Sequence, residues 1–141
     1  MSIKAIEEQI EILVNEVIDI SKYYDYPVAD IGRNLPALVN IYNGFNQEHE
    51  AVKQTDTTYN FELTIYLPAE GKTLKNNWDD MKDLTVDILN KFRANATLNC
   101  QVWSSIVTSG DTIIDAEGRA EGRKTKWIGH TFNLEATRTE G

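Results

Sequence analysis

The residues of this sequence whose types could do chemistry are few and widely spaced. His49 stands in Gln47-Glu48-His49-Glu50, an imidazole between carboxylates, which is a donor set able to hold a divalent metal. One histidine with flanking acids in a polar stretch is more often a solvated loop, and no metal is expected here. His130 and Cys100 both fall at inward-facing positions of alternating apolar runs. A hydrogen-bonded core histidine and a cysteine acting as a small hydrophobe are the expected roles. Asp79, Asp83 and Asp87 follow one another at four-residue spacing, a line that could hold a cation or receive a basic partner. Lys75 precedes that line by four and Lys91 follows it by four, so charge compensation along a solvated helix face is the simpler reading.

Other motifs are weaker still. Gly118-Arg119-Ala120-Glu121-Gly122 lacks both the Lys-Ser/Thr ending and the buried strand that a phosphate-cradling loop requires. Asn95-Ala96-Thr97 matches a glycosylation acceptor, but nothing at the N-terminus has the order of a secretory signal. A nucleophile paired with a base, a working carboxylate pair and a metal cluster are all missing from the sequence pattern, so an enzyme is not expected. Catalytic, cofactor-binding and metal-binding residues are accordingly none.

The elements that would position these groups follow from periodicity. Ile3, Ile6, Ile10, Leu13, Val17 and Ile20 recur at spacings of three and four, predicting a helix from Ser2 to about Ser21 with Ser2 as its N-cap. Leu74, Trp78, Met81, Thr85, Ile88 and Phe92 predict a second helix from about Thr73 to Phe92. Leu35 to Tyr42 reads as a strand ended by the turn pair Asn43-Gly44, and Asn46 to Thr57 as a polar connection. Strict alternation then predicts strands at Tyr59–Leu67, Leu98–Ile106 and Ile128–Ala136. Ser109 to Lys126, with three glycines and many charges, reads as a loop or a projecting ribbon. The expected fold is α+β: one domain over residues 1–141, with a four-stranded antiparallel sheet and two α-helices packed on one face, in α-β-β-α-β-β order.

Composition narrows the function classes. A chain of 141 residues with 41% hydrophobic and 26% charged residues is of ordinary globular character. A lone cysteine excludes an intrachain disulfide, and a cytoplasmic origin is expected. No apolar run is long enough to span a bilayer. The net charge of −8 disfavours gripping nucleic acid, whose affinity comes from neutralised phosphates.

With this order of elements, the chain resembles the tail-terminator, or tail-to-head joining, proteins of long-tailed bacteriophages. The resemblance runs over nearly the whole length. It is carried by the amphipathic N-terminal helix, the block Leu35-Pro36-Ala37-Leu38-Val39-Asn40-Ile41-Tyr42, the block Tyr59-Asn60-Phe61-Glu62-Leu63-Thr64-Ile65-Tyr66, the long second helix, and the closing Trp127 to Thr137. It implies a structural virion protein, made in the host bacterial cytoplasm and located in the virion tail. Such a protein caps the tail tube as a homo-hexameric ring, stops tube elongation and offers a surface to the head-completion protein. Its partners would be further copies of itself, the major tail tube protein, the head-completion protein and the genomic DNA passing through the lumen unbound, with no membrane and no cofactor. Interface or lumen candidates in the two charged connections are Glu48, Glu50, Asp111, Asp115, Glu117, Arg119 and Glu121. A neck or head-completion protein of the same virion is the alternative. A small-molecule binding module lined by Trp78, Trp103 and Trp127 is a more distant one.

Overall fold

The computed structural model describes residues 2–28, 35–51, 54–68, 74–114 and 127–140, of which 50, 51, 74, 113, 114 and 140 are described by their backbone alone. The order is α1 (Ile3–Val17), β1 (Lys22–Tyr24), β2 (Ala37–Ala51), β3 (Gln54–Pro68), α2 (Leu74–Ala94), β4 (Ser104–Ile114) and β5 (Trp127–Glu140). The α+β class and both helices stand as expected. The sheet does not: it has five strands, in order β1-β2-β3-β5-β4, and is mixed rather than antiparallel throughout.

Helix α1 begins where the sequence places it, with the Ser2 side chain accepting from the Ala5 amide at 3.2 Å. It ends at Val17, earlier than the apolar period suggests. The Asn15 side chain accepts from the Ile20 amide at 2.9 Å, and so turns the chain out of the helix. The freed residues lead into β1, which pairs parallel with Ala37–Val39. Two bonds bring it there: the Ser21 amide donates to the Pro36 carbonyl at 2.8 Å, and the Ser21 hydroxyl to the Leu35 carbonyl at 3.2 Å. A three-residue strand carries too little periodicity to be read in advance.

The hairpin of β2 and β3 is longer than expected. Asn46 to Thr57 is not a connection, since both strands run through it and Ala51 pairs with Gln54. Asn43 and Gly44 form a bulge instead of a turn: the register shifts between Tyr42 and Phe45, and Gly44 has φ of +105°, which glycine adopts without strain. The expected strand from Leu98 is a turn. Leu98, Asn99 and Cys100 take consecutive left-handed conformations with φ of 48°, 55° and 65°. Left-handed backbone costs about 1–2 kcal/mol per residue, here offset by burial of Leu98 and Val102, four residues apart. Cys100 is exposed, not inward, and β4 starts only at Ser104. The strand then continues through Ser109 to Ile114, the ribbon alternative for residues expected in a loop or a projecting ribbon.

Both helices lie on one face of the sheet. Ile6, Ile10, Leu13 and Val14 of α1, and Met81, Leu84, Ile88 and Phe92 of α2, are buried against Leu38, Phe61, Leu63, Ile65, Ile128, Phe132 and Leu134. The inward parities expected for β3 and β5 hold at each of these positions. An ion pair ties the helices: Lys91 Nζ lies 2.5 Å from Glu16 Oε2. Lys91 therefore serves α1 instead of compensating Asp87, whereas Lys75 pairs with Asp79 at 2.9 Å as expected.

Ile10→Asp and Phe61→Asp each bury an unpaired charge, so both variants should unfold or precipitate, while Asp83→Ala should change stability by no more than about 0.5 kcal/mol. Thermal melts of the three variants check the order. At Gly110, a Cβ would stand 2.3 Å from the Thr131 carbonyl oxygen and 2.9 Å from His130 Cε1. The first contact is with backbone and has no room to yield. Gly110→Ala should cost about 1–3 kcal/mol in denaturant unfolding.

Candidate functional site

The face of the sheet turned away from the helices carries a concentration of like charge. In the unbroken β3–β5 ladder, Phe61, Leu63 and Ile65 point to the helices, which places Asp56, Thr58, Asn60, Glu62, Thr64 and Tyr66 on the other face. Their partners there are Thr139, Thr137, Glu135, Asn133, Thr131 and Gly129. Glu48 of β2 joins this face opposite Asp56, and Asp111 of β4 joins it opposite Thr131. Among the described residues Glu48, Asp56, Glu62, Asp111 and Glu135 therefore share one open surface. Among the described residues the one basic side chain on it is Lys22 at the far edge, with Nζ 5.7 Å from the centre of the Tyr24 ring.

Polar side chains bond across the strands of this face, and one of these bonds reaches a carboxylate. Thr139 Oγ1 donates to Asp56 Oδ1 at 2.5 Å, Thr58 and Thr137 hydroxyls meet at 2.9 Å, and Asn133 Nδ2 donates to Ser109 Oγ at 2.9 Å. Glu48 and Asp56 are direct cross-strand neighbours of the same sign, an arrangement that costs stability in a sheet. The other end of the same face is apolar. Tyr24, Ala37 and Val39 are buried there with Val28, Leu35, Ile41 and Tyr66 packed around them, and Trp127 meets Tyr66 edge to face at 5.0 Å.

Of the interface candidates, Glu48 and Asp111 lie on this face, Glu48 on a strand rather than in a connection and Asp111 on the paired strand that the ribbon alternative allows. Glu50 continues β2 and is described by its backbone alone; Asp115, Glu117, Arg119 and Glu121 lie outside the described residues. Glu62 and Glu135 were legible in the alternation of their strands, which already turned them outward. Asp56 was hidden by reading its segment as a connection, and its apposition to Glu48 needs the hairpin register.

The remaining chemical groups are engaged locally. His49 Nδ1 is 3.0 Å from Thr55 Oγ1. His130 is buried, stacks on Phe132 at 4.4 Å between ring centres, and donates from Nδ1 to the Thr131 carbonyl at 2.9 Å, the only role that leaves the carbonyl as acceptor. No group of three or more metal-ligating side chains occurs among the described residues. The three tryptophans do not gather: Trp78 packs on the helix-side core, Trp127 lies on the opposite face, and Trp103 is exposed. A separate cleft of about 350 Å³ runs between α2 and the sheet end, with Asp80, Asp83 and Asp87 along one wall and Leu67, Pro68 and Leu84 among its apolar lining.

An open face whose described residues carry five carboxylates and one peripheral lysine repels polyphosphate. Glu62→Lys combined with Glu135→Lys should make the protein bind duplex DNA at low salt, with affinity falling steeply as salt rises, while the unaltered protein stays unbound. Mobility-shift titrations at several salt concentrations check this. No protein-family model matches the chain, and no curated protein matches it by sequence.

Proposed function

We propose that this chain is a tail-terminator subunit of a long-tailed bacteriophage: a non-enzymatic virion protein that caps the tail tube as a six-membered ring, ends tube elongation and provides the surface for head joining. The observation that carries the reading is the helix-free sheet face, where Glu48, Asp56, Glu62, Asp111 and Glu135 stand together. A lumen lined by such faces would pass DNA without holding it. Six copies at −8 each bring about −48 to the ring. The blocks Leu35–Tyr42 and Tyr59–Tyr66, on which the resemblance rests, form the paired strands β2 and β3 that build this face. Its cross-strand carboxylate pair is a stability cost that a lumen role would explain.

Ring closure would use the tube as template, because exposed polar contacts contribute about 0–1 kcal/mol each and leave isolated subunits mostly apart. The major tail tube protein lies below in this reading and the head-completion protein above. A neck protein of the same virion would share the acidic face and differ in its neighbours.

The deciding experiment shortens the chain between residues 115 and 121, leaving β4 intact, and images tails made with the variant in the phage that encodes it. Circular dichroism first establishes that helices and sheet persist. Overlong tails, or tails of normal length that fail to join heads, are expected. Normal, infectious tails would remove the segment from assembly, and normal tails made without the protein altogether would sink the terminator reading.

A further inference from the structure

Two sheet edges are open among the described residues. At one side β1 covers only Ala37–Val39, so β2 from Asn40 to Ala51 has no described strand along its outer edge. At the other side the outer edge of β4, Ser104–Ile114, has none along its whole length. Such edges present rows of backbone donors and acceptors ready to pair with another chain. Each also carries exposed large apolar side chains: Phe45 is 57% exposed on β2, Ile106 is 60% exposed on β4, and Trp103 just before it is 57% exposed.

The directions of the strands decide what fits. β2 runs antiparallel to β3, β3 to β5, and β5 to β4, so β4 is antiparallel to β2. A second copy placed beside the first in the same orientation therefore brings its β2 against β4 with the correct polarity for an antiparallel ladder. The sheet continues, and every helix-free face stays on the same side. We infer that copies of this chain join head to tail by pairing the β4 edge of one with the β2 edge of the next, beyond β1.

This contact is heterologous, so repetition generates a closed ring or an open filament, whereas an isologous β4–β4 contact would stop at two copies. Curvature toward the helix-free face brings the carboxylates of all copies to the inner wall. Closure at six rests on the capping role proposed above, but the edge pairing does not. Register shifts interrupt each edge strand, between Tyr42 and Phe45 and between His49 and Ala51 in β2, and between Val107 and Ser109 in β4. Such irregularities shorten the flat run that a stray strand could join, so the union is selective and weak until a template holds the copies together.

The test uses full-length chains with Cys100→Ser as background, one carrying Asn46→Cys on β2 and the other Ile106→Cys on β4. Both positions are exposed and both lie on the helix-free face. Circular dichroism establishes that each variant is folded, and a short bismaleimide then links thiols at high protein concentration. The mixture should give roughly tenfold more cross-linked dimer than either variant alone, the ratio set by a preference of about 1.4 kcal/mol. A third variant, Asp87→Cys on α2, should cross-link to neither above background. Dimers formed as readily within one variant would show an isologous contact and overturn the proposal, as would a mixture no better linked than the α2 control. The readout needs no tail, so failure here leaves the capping role standing, and failure of the tail experiment leaves the edge pairing standing.

Discussion

The ladder between β3 and β5 sets the geometry of the rest of the molecule. It runs from Thr55–Glu140 to Pro68–Trp127 without a register shift, at the centre of the sheet. Because side chains alternate at every step, this one register determines two surfaces at once. Phe61, Leu63, Ile65, Phe132 and Leu134 receive the helices, and Glu62 and Glu135 are thereby forced to the other side. A slip by one residue would expose the core and bury carboxylates. Selection for a dry core therefore also holds the acidic face in place.

Around that ladder one buried polar group ties the sheet to a helix. Asn40 is fully buried on the helix side of β2, and its Nδ2 donates to the Tyr23 hydroxyl at 3.2 Å. That hydroxyl points to the Glu7 carbonyl of α1 at 3.5 Å. Burial pushes the Tyr23 phenol well above its ordinary range, so it stays a neutral donor. The short β1 strand thus earns its place through a side chain that links sheet to helix. Asn40 Oδ1 has no hydrogen-bond partner among the described residues. Glu7, beside it, has its carboxyl raised by burial and by Asp25, a second sign that this corner tolerates charge poorly.

The register shifts of the edge strands and the left-handed turn shape the margins. Without Gly44 the β2 edge would run flat, and without the turn at Leu98–Cys100 the chain leaving α2 would not reach the β4 position with Ser105 bonded back to the Ala96 carbonyl at 2.7 Å. These irregularities lie at the edges, where a sheet either avoids or selects a neighbour, and the central strands have none between them.

Both helices and the strands β3 and β5 could be read from the chain because each buries one face, and burial on one face writes a period of 3.6 or 2 into the residues. Ser2 as a cap and Lys75 with Asp79 as a pair were equally legible, being local. The outward carboxylates Glu62 and Glu135 came with the same alternation. Tertiary structure alone decided the rest. Leu98, Cys100 and Val102 imitate a strand, yet only Leu98 and Val102 find the core, and a turn brings both there. Asn43-Gly44 has turn chemistry, yet pairing on either side makes it a bulge. The polar residues from Asn46 to Thr57 look like a connection because a hairpin arm with polar side chains on both faces has no apolar period to display. For the same reason the apposition of Glu48 with Asp56 is invisible in the chain: it depends on which residues face each other across two strands, and pairing register is a property of the folded sheet.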